Sequence, residues 1–473
     1  MSAEKQYLEL YNEQKSLIDA HSAPALNSLR PRAAEVLERA GLARPKDFTQ
    51  VDPEELLAID YSLNLSRHEV PTAREDLFTC AVPELSTDVH FLVNEQYVSD
   101  FKRNKSLSSL ADGSGEDPFF AGSLRQFAEL RPDLVEKYYS HLALDEEPHY
   151  DPRAEHTPVT AHRPLGEAAL NTLLCQDGFV LYVPAGVVVE KPIQLISLMR
   201  AVEDFMACQR LLVIVEAGAK ASLLVCDHAS DLKAGARLLS LQVTEIFVAE
   251  GAQLNFYALE EHHAQVSRLS NVYLRQKGHS SVNLAQFALQ AGQTRNRIYI
   301  DLAGEGADTV LNGFVIGDKQ QRVDNISYIR HRVAGCTSNE LFKYVLDEQA
   351  RGSFIGRILV QQGADRTDAH QTDRNLCLTS DTRMVARPEL EIYADDVKCS
   401  HGATVGQLDQ TALFYMRTRG VPESEARMLL MFAFMSDVID GIRLEPLKDR
   451  LKHLVEKRFR GELTQCKGCA VRE

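Results

Sequence analysis

FVLYVPAGVVVEKPIQLISLMRAVEDFMACQRLLVIVEAGAKASLLVCDHASDLKAGARLLSLQVTEIFVAEGAQLNFYAL, residues 179–259, is the stretch whose reading decides the fold. Short runs rich in Val, Ile, Leu and aromatics follow one another there with hardly a trace of helical period. Between them fall small turns at Ala185-Gly186, Ala217-Gly218-Ala219 and Gly251-Ala252. The step from Gly186 to Gly218 is 32 positions and that from Gly218 to Gly251 is 33. Such a step suits one long coil of strand or a pair of short ones. The strictest hairpin dipeptides mostly sit outside the turns, Asn312-Gly313 and Asp177-Gly178 being the exceptions. A sandwich, a barrel and a coil of strands all accommodate short strands with Gly turns, and the recurring step favours a parallel β-helix.

Working outward, the same pattern runs from about Asn171 to Asp396, through SVNLAQFAL, RIYIDL, TVLNGFVI, SFIGRILV and LEIYA, with later turns at Gly306-Ala307 and Gly363-Ala364. Residues 1 to about 60 are helical in period, with Ser22 a candidate cap, Pro24 in a first turn and Gly41 a helix stop. Val89–Ser99 reads as strand, and Gly122–Leu142 as helix broken at Pro132. The four-proline block 145–164 reads as a linker or an ordered loop. Helix returns at Asp409, a good N-cap, stops at Gly420 and restarts at Pro422. The second of these helices, Glu423–Ile442, carries one stripe of Leu430, Ala433, Phe434 and Val438 and another of Met428, Met431, Phe432, Met435 and Ile439. A helix apolar on two sides needs two burial partners, either within its own domain or with one stripe on another protein. The expected division is a mainly helical part with a short strand segment at 1–165, a β-helix at 166–404, and a helical part with a flexible tail at 405–473.

Lys and Arg total 52 against 67 Asp and Glu, a net charge of −15, which argues against a nucleic-acid partner. The opening MSAEKQYLELYNEQKSLIDA is charged and periodic without an apolar signal region, and no run reaches the roughly 20 apolar residues of a membrane span. Nine scattered cysteines then read as reduced thiols in a cytoplasmic chain.

The best chemical constellation is Cys399-Ser400-His401, followed by the small residues Gly402–Gly406. In an extended strand Val397, Cys399 and His401 share a face, with Cys399 and His401 roughly 7 Å apart at Cα. Thiolate and imidazole suit zinc, iron or a cluster, yet a stable site wants about four ligands. The pair is therefore half a site completed by another chain, or a buried Cys beside a surface His. Cys466-Lys467-Gly468-Cys469 is a redox couple, half a zinc knuckle, or two exposed thiols on a frayed end. Asp365, Asp368 and Asp373 are either the paired acids of a carbohydrate-active β-helix enzyme or capping residues of solvated turns. Glu261-His262-His263 and Cys226-Asp227-His228 are further metal candidates weighed against ordinary surface or core. No P-loop, GxSxG or GxGxxG stands out, which argues against a free-standing enzyme.

ELEIYADDVKCSHGATVGQLD followed by LFYMRTRGVPESEARMLLMFAF closely resembles the C-terminal signature of the SufB/SufD family, in its SufD branch. The family belongs to the SUF iron–sulfur cluster assembly scaffold. GRILVQQGADRTDAHQTDRNLCLTSD, ALNTLLCQDGFVLYVPAGVVVEKPIQLISL and HFLVNEQYVSDF extend the likeness over about residues 90 to 445. The SufB branch typically has His-Glu-Ala where this chain has His401-Gly402-Ala403. The family's Trp-Lys-Tyr segment has at most a remnant at Ile59-Asp60-Tyr61-Ser62. The resemblance implies a right-handed parallel β-helix with helical ends and a non-catalytic scaffold role in a complex with a SufB-like subunit and a SufC-like ATPase. A SufB-like subunit that itself accepts sulfur is the alternative within the family. His401 and Cys399 are the implied ligands of a transient iron–sulfur cluster shared with SufB. Phe414, Tyr415, Arg419, Met431 and Met435 mark the implied ATPase-docking region. A homodimer in isolation and a bound flavin stay open.

Overall fold

The computed structural model describes residues 2–42, 48–68, 86–98, 118–145, 165–230 and 235–462. Among these residues nineteen strands form two sheets stacked face to face. The first holds β1 (Asp88–Val93), β2 (Gln96–Val98), β5 (Ile193–Arg200), β7 (Lys220–Ser230), β9 (Gln253–Glu261), β11 (Ser281–Gln290), β13 (Asp308–Gly317), β15 (Thr337–Leu346), β17 (Thr367–Cys377) and β19 (Val397–Gly406). The second holds β3 (Phe120–Ser123), β4 (Phe179–Val183), β6 (Phe205–Val215), β8 (Leu238–Val248), β10 (Val266–Gln276), β12 (Gln293–Leu302), β14 (Arg322–His331), β16 (Arg351–Val360) and β18 (Arg383–Ile392). Consecutive strands from β4 on alternate between sheets and pair in parallel with the strand two further along, so β4 to β19 make eight two-strand coils. This is the expected β-helix, mostly strand with helical regions at both ends.

Register explains the sequence period. Phe179 pairs with Leu211 and Leu211 with Thr244, steps of 32 and 33. The Gly-Ala turns close these coils, with Gly186, Gly218 and Gly251 at φ of 74°, 67° and 66° and open space where a Cβ would stand. Left-handed backbone of this kind favours glycine. Inside, side chains stack in columns: Ile193, Leu223, Phe256, Leu284 and Leu311 are in register on successive coils and all fully buried. Each such side chain contributes about 1.5–3 kcal/mol through burial. Asn312-Gly313 lies inside β13, not at a turn, and a Cβ on Gly313 would come within 2.2 Å of the Phe342 ring.

The helical ends cover the outer faces of the two sheets. Ala3–Ala20, Pro24–Asn27, Arg30–Ala40 and Pro53–Leu57 form as the period predicts, with Gly41 at φ 66° ending the third. The cap expected at Ser22 falls instead on Ala23, and the Ser22 hydroxyl accepts from Arg30 Nη2 at 3.1 Å. Pro132 splits the next helix into Leu124–Leu130 and Pro132–Tyr138. Gly166–Leu174, assigned in part to the strand region from its apolar content, is a helix with every residue buried. A helix enclosed on all sides loses the amphipathic period that would reveal it. Tyr61-Ser62 forms part of the joint between layers, since Ser62 bridges in parallel to Phe205 and Tyr61 is buried.

At the other end, Asp409 caps helix Gln410–Thr418 by accepting from Thr411 and Ala412, and Gly420 turns the chain at φ 88°. Helices Glu423–Asp440 and Glu445–Phe459 follow. Their apolar side packs on the outer face of the first sheet, where Met431, Met435, Val438 and Ile439 meet Tyr257, Phe287 and Phe314 in one buried cluster. No described helix is long and apolar enough to cross a membrane.

Burial also fixes an acid response. His90, His262 and His331 are buried, and desolvation pushes them down to about 4, 3 and 4. Among the described residues neither ring nitrogen of His262 has a hydrogen-bond partner. A folded pKa below the ordinary 6.5 means the stabilisation is present above that value and is lost as pH falls towards the folded pKa. Urea unfolding from pH 7 to pH 4 should therefore show falling stability. His262→Asn should flatten that slope by one proton, about 1.4 kcal/mol per pH unit. An unchanged slope in the variant would show that His262 does not titrate on unfolding.

Candidate functional site

β18 and β19 are the last strands of their sheets, so among the described residues each has a strand neighbour on one side only. Their outward row of backbone groups is the open end of the solenoid, and an open edge of this kind is a template for pairing. β18 is mostly half-buried, whereas residues 400–406 of β19 are all exposed. Cys399 and His401 sit on β19 two residues apart, in register with Ala369 and Gln371 of β17. Val397 and Cys399 pack against the interior core, which confirms that this odd-numbered face points inward. His401 continues the same face beyond the cover of the core and is exposed.

The Cys399 thiol is half-buried, and burial pushes its pKa up, with the Asp368 charge adding to the effect and a hydrogen bond from the Ala369 backbone opposing it. In the isolated chain the thiol is thus held in its protonated form at neutral pH. Becoming a ligand requires a thiolate, which a metal or a cationic partner would stabilise. Among the described residues no three of His, Cys, Asp and Glu gather as a metal set. Cys399 and His401 supply two donors where four are usual, so they amount to a half-site.

The His401 column has an informative composition. It runs Ile193, Leu223, Phe256, Leu284 and Leu311, then turns polar through Glu340 and Gln371 before ending at His401. A groove of about 340 Å³ is lined by residues 371–374 and 400–404, so it joins His401 to Gln371 and Asp373. On the outer face, His370 Nδ1 is 2.6 Å from Ser400 Oγ and its Nε2 is 2.8 Å from Asp368 Oδ1. Gln371, Asp373, Glu340, His370 and Ser400 were not singled out as a set around His401. The signal was the coil step, since subtracting 30 or 31 from 401 and then from 371 gives Gln371 and Glu340.

The other candidates separate. Asp373 is inside the solenoid, Asp368 is on the outer face paired with His370, and Asp365 sits in a turn accepting from the Asp395 and Asp396 backbone. The three acids do not converge, because the odd spacing from Asp368 to Asp373 puts them on opposite faces. Glu261 and His262 are buried, and Cys226 and His228 lie on β7 with both side chains buried, His228 Nδ1 standing 3.5 Å from Glu261 Oε2. Cys466 and Cys469 fall outside the described residues. In the docking region, Phe414 and Tyr415 are 68% and 59% exposed, and Arg419 lies over the Tyr415 ring at 5.1 Å. Met431 and Met435, expected on that outer face, are buried on the chain's own sheet. This corrects their assignment. The sheet's aromatic face is the nearer apolar surface, and Leu429, at 41% exposed, is a large apolar residue the helix leaves outside.

Two family models match. Residues 1–195 match the SufBD protein N-terminal region, and residues 198–434 match the SufBD core domain of SUF system FeS cluster assembly. An iron–sulfur cluster assembly SufBD family protein of Synechocystis is 33% identical over 297 residues, 61% of this chain and 65% of the relative. The iron–sulfur cluster assembly protein SufD of Escherichia coli is 34% identical over 175 residues, 37% of this chain and 41% of the relative. SufD of Bacillus subtilis is 25% identical over 468 residues, 97% of this chain and 99% of the relative. The likeness to the first two thus spans less than two thirds of their length. With both models together reaching from the first helix to the C-terminal helices, the chain belongs to the SufBD family of SUF-system iron–sulfur cluster assembly proteins.

Proposed function

We propose that this chain is a non-catalytic scaffold subunit that pairs through its open solenoid end with a SufB-like subunit and docks a SufC-like ATPase on its C-terminal helices. The observation that carries the reading is the position of Cys399 and His401 on the last strand, whose outer edge has no strand beside it among the described residues. A half-site on an open edge is completed by whatever strand pairs with that edge. The nascent iron–sulfur cluster is cargo at that junction, with His401 as first ligand from this chain and Cys399 as second. In this division of labour residues 1–165 brace the solenoid, 166–404 build the pairing end and 405–473 dock the ATPase. Without its partner, the same edge would accept a second copy of the chain, giving a homodimer.

Phe414 and Tyr415, large and exposed beside Arg419, are the natural anchors for the ATPase, since aromatics and Arg dominate interface energetics. Co-purification with a SufB-like and a SufC-like protein tests the assignment, and a chain that retains neither would overturn it. Phe414→Ala with Tyr415→Ala should weaken ATPase retention at least about 30-fold, or ~2 kcal/mol. Pairing with the SufB-like subunit should stay intact. Full ATPase retention in the double variant would move the docking face elsewhere.

A further inference from the structure

The solenoid interior changes character beneath His401. Glu340 of β15 and Gln371, Asp373 and Asn375 of β17 are buried to 2% exposure or less. Gln371 Nε2 donates to Glu340 Oε2 at 2.6 Å, and Asn375 Nδ2 donates to Asp373 Oδ2 at 2.7 Å and to the Thr404 carbonyl at 3.0 Å. With each amide nitrogen committed to a carboxylate, each amide oxygen must face away from it. Among the described residues, Glu340 Oε1, Gln371 Oε1, Asp373 Oδ1 and Asn375 Oδ1 are buried with no hydrogen-bond partner. Ser327 stands close enough to Glu340 for its hydroxyl to oppose the upward push on the carboxyl, though it lies outside good hydrogen-bond geometry.

Four buried acceptors on two acids and two amides form an unbalanced group, because buried oxygens want donors or a cation. Among the described residues no Arg or Lys is a cause of either carboxyl's shift. Burial pushes both carboxyls up to about 7, with Glu340 adding to the effect on Asp373. Room for the arrangement comes from Gly356 of β16, where a Cβ would come within 2.3 Å of Gln371 Nε2. The groove that reaches Gln371 and Asp373 also reaches His401, giving the group an outlet.

We infer that Glu340 and Asp373, flanked by the Gln371 and Asn375 amide oxygens, form a holding site for a divalent cation, ferrous iron in this setting, directly beneath His401. This rests on the cluster-assembly reading for the identity of the metal. An all-oxygen donor set suits a hard or borderline divalent ion, and two carboxylates balance its charge. The ion binds and leaves as Fe²⁺, so no oxidant or reductant is needed. His401, in register with Gln371, is the next ligand on the way out to the pairing edge.

The test uses Mn²⁺ as a redox-stable probe on the isolated full chain, with bound ion followed by electron paramagnetic resonance. The wild-type chain should bind one Mn²⁺. Glu340→Gln and Asp373→Asn should each weaken binding about tenfold or more. Should an acid variant fail to fold, Gln371→Met removes an amide oxygen and should weaken binding similarly. No Mn²⁺ binding to the wild type, or wild-type binding by the folded variants, overturns the site. Because no partner is present, failure here is separable from failure of pairing or of cluster formation in the complex.

Discussion

Glu245→Ala should destabilise the chain by about 3–5 kcal/mol, the cost of breaking a buried ion pair by removing one partner. Glu245 on β8 is fully buried and pairs with the fully buried Arg210 of β6. One carboxylate also accepts from three backbone groups of the N-terminal layer, Ser140 at 2.6 Å, Leu142 at 2.8 Å and Ala143 at 3.0 Å. Arg210 reaches the same layer through Ser140 Oγ at 3.0 Å and lies over the Tyr139 ring at 4.4 Å. Alanine would strand a guanidinium and three amide protons in a dry interface. Glu245→Gln keeps an acceptor oxygen and should cost less. Urea unfolding measures both, and a loss below ~1 kcal/mol for alanine would show that the helical layer does not depend on this anchor. The effect should appear as a lower midpoint with the layer released first.

The solenoid was legible because its defining residues are local and repeated. Small residues at Gly186, Gly218 and Gly251 mark the coil step, and V/I/L runs mark the strands between them. Helix Gly166–Leu174 was illegible in the same terms, because complete burial erases the polar face on which helical period depends. The two stripes on helix Glu423–Asp440 were visible, but which of them faces the sheet depends on where the helix is laid down. The structure buries Met431 and Met435 and leaves Leu429 outside.

The candidate site was legible in part. Cys399 and His401 announce themselves by residue type and spacing, and strand parity correctly puts them on one face. That they stand on the last coil follows only from the sheet order, since an identical Cys-x-His on an inner coil would be covered by the next strand. Glu340, Gln371 and Asp373 were scattered polar residues until the step of about 30 positions aligned them under His401. Asp373 shows the limit most clearly. It reads as one of a group of surface acids, while its odd distance from Asp368 sends it into the interior.

Replacing His401 with alanine should have the largest functional effect. The side chain is exposed, so its loss leaves the fold intact, with expected stability within about 0.5 kcal/mol of wild type. Its imidazole is an exposed nitrogen donor on the open edge, whereas the Cys399 thiol is held protonated by burial until a metal arrives. Cys399→Ala should therefore reduce cluster recovery less than His401→Ala does. The backbone edge that would pair with the partner is untouched in either variant.

Iron and acid-labile sulfide recovered on the anaerobically purified complex with the SufB-like and SufC-like proteins give the most direct test. The account predicts a drop of about tenfold or more for His401→Ala, with all subunits still associated in wild-type proportions. Wild-type iron and sulfide on an intact His401→Ala complex would contradict it.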